Sequence, residues 1–313
     1  MRQIYLVLIL LLLSLSVGCN NQSGNNSDDE PVIYTSIYPI QYIVERLTGT
    51  SVQVETVYPP GTDPHSYEPT AKEMTRQSQA DAFFYLGSNL ETFTETVAGA
   101  LEQEDVHLIE LGVHEQLFEL HQTNGLELDT HGLHDEHHHG DHDPHIWLDP
   151  IRTIKLASFI KEELKELIPV QSQKIDNNYK LLVADLKMLD EKFKQVLAEK
   201  EHKELLVSHA SLGYWEDRYG IEQIAVNGVS SNSEPSQKDL IHIIETAKNM
   251  NLHYMIFEQN VSNSVSKKLQ DEIGASTLII HNLSVLTDED IKNEQDYLSL
   301  MKQNIKVLDQ ATN

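Results

Sequence analysis

An unbroken apolar stripe between residues 175 and 196 limits most strongly how this chain can fold. Ile175, Tyr179, Leu182, Leu186, Leu189, Phe193 and Val196 follow one another in steps of 4, 3, 4, 3, 4 and 3. That spacing keeps one side of an α-helix apolar throughout. It predicts a helix over 172–200, roughly 40 Å long at 1.5 Å per residue, the width of a small domain. A shorter helical pattern, 152–167, precedes it and stops at Pro169. β-rich sequence resumes directly afterwards, so residues 169–200 read as a linking spine along which two lobes pack. A coiled-coil dimer is the alternative, although three heptads are the bare minimum for one.

On both sides of the spine, strands alternate with helices. The first lobe, 31–168, carries β-rich runs at 32–37, 52–57, 82–86 and 106–111. A helical pattern through Ile40, Ile43, Val44 and Leu47 ends at Gly49, and a helix-like stretch covers 70–80. The second lobe, 201–313, repeats the rhythm with strands at 205–207, 223–226, 254–258 and 277–280. Its helices fall at 237–249, before Gly274, and at 297–308. The expected fold is therefore α/β: two lobes, each a mainly parallel sheet with flanking helices, joined by one long helix. In such sheets ligands bind at the loops beyond the carboxyl ends of the strands.

The histidines are distributed unevenly against that frame. Seven of the sixteen, His131, His134, His137, His138, His139, His142 and His145, lie within fifteen residues, with Asp135, Glu136, Asp141 and Asp143 among them. Neutral imidazole is a common metal ligand, and short His-rich tracts read as metal binding. Most of this tract, within a loop at 121–142, reads as a solvated auxiliary collector of ions. Its end differs. Ile146, Trp147 and Leu148 predict a buried strand end, which would hold His145 at a fixed place. His65 lies in a loop stiffened by Pro59, Pro60, Pro64 and Pro69, after the second strand. A lone loop histidine is more often a surface residue than a ligand, and only its place at a strand's end singles His65 out. His209 follows the strand at 205–207 in the same way. Three imidazoles with one further position make an ordinary zinc arrangement.

The 49 acidic and 23 basic side chains leave a formal charge of −26. Nucleic-acid binding needs a basic face and is disfavoured, whereas cations are attracted. Residues 1–18 read as an export signal, because the apolar run 4–13 is too short to span a bilayer. Cys19 is the only cysteine, so no disulfide can form within the chain. Residues 15–19, LSVGC, resemble the lipobox of bacterial lipoproteins, with Leu15 one place earlier than usual. Cys19 is then the lipidated residue and 20–30 a flexible tether.

Four segments, PPGTDPHSYEPT, DPHIWLDP, SHASLGYWEDRYGIEQIAVNGVSSNSEPS and IFEQNVSNSVSKKLQDEIGAS, resemble in order those of the zinc-uptake solute-binding lipoproteins of bacterial ABC transporters. The resemblance covers about 30–310. It implies metal held between two α/β lobes joined by a long helix, with His65, His145 and His209 as imidazole ligands to Zn2+. It also implies an extracytoplasmic, lipid-anchored monomer that delivers zinc to an ABC permease and its ATPase. Manganese-binding relatives usually have Glu at the place of His209, so the nitrogen set argues for zinc. One departure stands out: a stretch similar to NPLESLT in zinc-binding relatives supplies a carboxylate, and Ser284 stands there instead. Water, Asp63, His281, Ser284 or a carboxylate of the His-rich loop could fill the fourth position. A manganese-binding homologue, an extracellular metal-dependent hydrolase and a surface adhesin are the alternatives. No H-E-x-x-H motif supports the hydrolase.

Overall fold

Within each sheet, crossovers between successive strands return the chain to the same end, so every pairing among the described residues is parallel. The computed structural model describes residues 30–87, 90, 91, 93–102, 104–120, 142–231, 233, 235–260 and 264–313. In the first lobe, Val32–Thr35 (β1), Gln53–Thr56 (β2), Ala82–Tyr85 (β3) and His107–Glu110 (β4) form a sheet in the order β2-β1-β3-β4. The helices Tyr38–Thr48 (α1), Ala71–Gln77 (α2) and Thr94–Leu101 (α3) are its crossovers. After Pro150–Leu167 (α4) and Ser172–Leu197 (α5) comes the second lobe. Its strands are Glu204–His209 (β5), Glu222–Asn227 (β6), Tyr254–Glu258 (β7) and Ser276–Ile280 (β8), in the order β6-β5-β7-β8. The helices Gly213–Tyr219 (α6), Gln237–Asn249 (α7) and Ser264–Ile273 (α8) connect them, and Asp288–Lys292 (α9) and Tyr297–Ala311 (α10) follow. The two sheets share one topology, and in each the strand order reverses beside a central strand. That reversal opens a crevice at the carboxyl edge.

Local sequence sets the helix boundaries. Thr70 with Glu73, Ser236 with Asp239 and Thr287 with Asp290 form reciprocal capping boxes at the starts of α2, α7 and α9. The Asp149 side chain accepts from the backbone N–H of Ile151 at the start of α4, where Pro150 needs no hydrogen-bond partner. Gly220 ends α6 at φ 68°, in the left-handed region that glycine enters without steric cost.

The predicted spine is α5, 26 residues and about 39 Å long. Ile175, Leu182, Leu186, Leu189, Phe193 and Leu197 are buried along it, while Tyr179 and Val196 flank them half-buried. It packs against α1 of the first lobe, α10 of the second, and α4. The stripe that could have seated a coiled-coil partner is covered within the chain.

One local expectation is corrected. Residues 143–150 are not a strand end: the chain there makes a 3-10 turn over Ile146–Leu148 and then enters α4. Pro144 and Pro150 remove two backbone donors within seven residues, which a central strand cannot lose. Ile146, Trp147 and Leu148 are nonetheless buried, because the second lobe grips the segment from outside. Tyr214 donates its hydroxyl to the Asp143 carbonyl at 2.6 Å and Tyr297 to that of Trp147 at 2.6 Å. The Trp147 indole N–H donates to the Asn282 carbonyl at 2.8 Å, and the Trp215 indole to that of Leu148. The signal segment, Cys19, the tether, and His131, His134, His137, His138 and His139 lie outside the described residues.

Candidate metal centre

Three distant segments each bring one imidazole to the cleft between the lobes. His65 comes from the proline-stiffened loop after β2, His145 from the start of the 3-10 turn, and His209 is the last residue of β5. Ring centroids are 5.5 Å apart for His65 and His145, 5.3 Å for His65 and His209, and 4.9 Å for His145 and His209. One nitrogen from each lies within 4.8 Å of the other two. Relative exposures of 9 %, 2 % and 3 % take all three out of bulk water. Imidazoles this close, facing one another in a buried space, repel once protonated and attract a cation once neutral.

Two of the rings are aimed by side chains, and His65 is set by its loop. The His65 loop is turned by Asp63, whose Oδ1 accepts the His65 backbone N–H at 3.0 Å and whose Oδ2 accepts the Ser231 hydroxyl at 2.8 Å. Asp143 Oδ1 accepts both the backbone N–H of His145, at 2.9 Å, and its Nδ1–H, at 2.7 Å. That fixes the tautomer of His145 and leaves Nε2 with the lone pair. Behind His209, Glu258 at the end of β7 accepts from Nδ1 at 2.9 Å and from the Ser211 hydroxyl at 2.7 Å. The other nitrogen of His209, Nε2, donates to the Val229 carbonyl at 2.7 Å. With both nitrogens donating, this ring is an imidazolium.

The titration shifts agree with those contacts. Burial lowers His65, and the neighbouring His145 and His209 lower it further, to about 3. Burial also pushes His209 down, but the charge and hydrogen bond of Glu258 outweigh it, helped by Val229, and lift it to about 9. Glu258 would be raised by its burial; the His209 charge, with hydrogen bonds from His209, Ser211 and Asn282, holds it near 2. An ion bound at His209 Nε2 must displace one proton and the Val229 bond.

Of the candidates for a fourth position, the carboxylates of the His-rich loop lie outside the described residues, and the others have partners of their own. Asp63 is spent on the loop and on Ser231. His281 uses both nitrogens: Nδ1 accepts the Leu283 N–H at 3.0 Å and Nε2 meets Asp290 at 3.0 Å. Ser284 is buried, with its hydroxyl donating to Asn282 Oδ1 at 2.8 Å. His142 has Nε2 2.9 Å from Glu115 and stacks on Phe118, outside the cluster. Sequence reasoning passed over Asp143 and Glu258, which bond the His145 and His209 rings, and Asn282, which bonds Glu258. Glu258 carried the one usable signal, being a carboxylate at the end of a predicted strand.

A family model described as "ZnuA: Zinc-uptake complex component A periplasmic" matches residues 33–311. The chain belongs to the ZnuA family. Among ZnuA-family proteins, the zinc-binding lipoprotein AdcA of Streptococcus pneumoniae is 32 % identical over the whole of this chain. The chain spans about three-fifths of AdcA's length, 61 %. The high-affinity zinc uptake system protein ZnuA of Bacillus subtilis is 28 % identical, over 97 % of this chain and 95 % of its own. In three dimensions, the Zn(II)-bound ZnuA-like domain of S. pneumoniae AdcA matches with a TM-score of 0.71 at 30 % identity. That match covers 90 % of this chain and 99 % of the domain.

Proposed function

We propose that this protein is the extracytoplasmic zinc-binding component of an ABC uptake system. It captures Zn2+ between its lobes through His65, His145 and His209 and hands the ion to a membrane permease driven by an ATPase. The observation that carries this reading is the convergence of three buried imidazoles from three separate segments. An all-nitrogen set suits zinc better than manganese, which favours carboxylate oxygens. The names of the S. pneumoniae and B. subtilis relatives support the same cargo. Among the described residues no carboxylate joins the cluster, and on this reading a water completes four-coordination. The LSVGC segment and the lipoprotein name of the AdcA relative support an anchor at Cys19.

Zinc titration against a competing chelator tests the site. Changing His65, His145 or His209 to Ala should each weaken binding by more than the 10–100-fold typical of losing a residue behind a ligand. Native affinity in any one variant removes that residue from the site.

A further inference from the structure

Asn282 is bonded at once to the surroundings of two of the three imidazoles. Its side-chain Nδ2 donates to Glu258 Oε2 at 2.8 Å, behind His209. Its main-chain carbonyl accepts the Trp147 indole N–H, two residues beyond His145. Its Oδ1 is fully used as well, accepting from Ser284 N–H at 3.1 Å, Ser284 Oγ at 2.8 Å and Gln259 Nε2 at 3.0 Å. Glu258 in turn has both oxygens loaded: Oε1 by His209 and Ser211, Oε2 by Asn282. A carboxylate held at both oxygens cannot rotate, so the acceptor it offers His209 is fixed in direction.

The backbone here is held against its preference. Leu283 sits at φ 60°, a left-handed conformation that a branched side chain rarely adopts. Three residues over-determine it. His281 Nδ1 accepts the Leu283 N–H, and Asp290 occupies the other nitrogen of His281. Asn304 takes both the N–H and the carbonyl of His281, at 2.8 and 2.7 Å. Strain maintained by several independent contacts marks a place where position matters.

We propose that Glu258 is a positioning residue for metal capture and that residues 281–284 are the brace that aims it, with Ser284 belonging to the brace and not to the ion's donors. The proposal rests on the reading that His65, His145 and His209 capture zinc. By accepting the hydrogen bond of His209 Nδ1–H, Glu258 selects Nε2 as the nitrogen presented to the ion and makes it a stronger donor. Asn282 transmits the same constraint to the His145 segment through Trp147. Two ligands contributed by different segments are thereby set against one rigid loop.

The test uses the full chain with Glu258→Gln, Asn282→Ala and Ser284→Ala. Zinc affinity is read by chelator competition, and the imidazole protons of His209 by 1H–15N spectra recorded without zinc. Glu258→Gln should weaken zinc about 10–100-fold while one equivalent still binds, and the His209 Nδ1–H resonance should shift or vanish. Asn282→Ala should move both readouts in the same direction by less, and Ser284→Ala, which removes one of three bonds to Asn282 Oδ1, by less again. If Glu258→Gln does not fold, Asn282→Ala carries the test with the same two readouts. The proposal is overturned if affinity is native in folded Glu258→Gln or Asn282→Ala, or falls while the His209 resonance stays unchanged. It is also overturned, for Ser284, if Ser284→Ala loses zinc as badly as His209→Ala. Failure of the zinc reading itself would show separately, as a wild-type chain with no tight site, and the His209 resonance would still decide the positioning role.

Discussion

Glu91 and Glu258 are two sealed glutamates, one in each lobe near the end of a central strand, that titrate in opposite directions. Glu258 faces the His209 imidazolium and is held near 2. Burial pushes Glu91 up to about 7, and hydrogen bonds from Ser36, Tyr58 and the Gly87 and Leu86 amides offset only part of that. An acid whose folded pKa is raised takes up a proton on folding. Stability is therefore greatest below the unfolded value, near 4.5, and falls as pH rises towards 7. A shift of this size corresponds to about 3 kcal/mol at most. Glu91→Gln keeps an acceptor for the two amides but cannot ionise. The stability difference between wild type and Glu91→Gln, from urea unfolding, should favour the variant progressively between pH 5 and pH 8. An equal difference at both pH values would mean that Glu91 does not change its charge in that window. None of this is legible in the sequence. The environment of Glu91 is assembled by Tyr58, 33 residues away, and that of Glu258 by His209, 49 residues away.

The elements themselves were legible, because helix and strand periodicities are local properties. The stripe from Ile175 to Phe193 is read directly from the chain. The 3-10 turn at Ile146–Leu148 was not, since three consecutive apolar residues fit a buried strand equally well and the partners that bury them come from the second lobe. The spine carries the clearest energetic prediction at this scale. Leu186 is fully buried at the middle of α5, a helix that touches α1 and α10 from the two lobes. Leu186→Ala should cost about 2–5 kcal/mol, through lost transfer energy and the cavity left behind. Because one helix supports both lobes, thermal unfolding should remain a single transition at a lower midpoint, with zinc stoichiometry unchanged at temperatures where the variant is folded. Two separated transitions would show that the lobes unfold independently and that α5 does not couple them.

At the scale of the whole molecule, polar contacts join the lobes across the cleft, and three of them fall on the loop that carries His65. The Gly61 N–H donates to the Leu286 carbonyl at 2.9 Å, Asn260 Nδ2 to the Thr62 carbonyl at 2.9 Å, and the Ser231 hydroxyl to Asp63 at 2.8 Å. His145 and His209 need no such closure, since the 143–149 segment and β5 are both built into the second lobe through Tyr214, Trp147 and Trp215. On the proposed reading, an ion leaving the cleft would part His65 from the other two imidazoles and break the bonds of that loop. Ser231 offers the cleanest probe, because its hydroxyl bonds a carboxylate and touches none of the three imidazoles among its recorded hydrogen bonds. A hydrogen bond to a charged group contributes about 1.5–3 kcal/mol, worth roughly ten- to a hundredfold in an equilibrium or rate. Ser231→Ala should accordingly speed zinc release by about tenfold or more, read by stopped-flow transfer to a chelator in excess. The paired change Asp63→Asn, which keeps the turn but weakens the acceptor, should add little on top of Ser231→Ala, because the two act on one bond. If release is as slow in Ser231→Ala as in wild type, the His65 loop is not what opens, and the exit path must instead run through movement of the segment that carries His145.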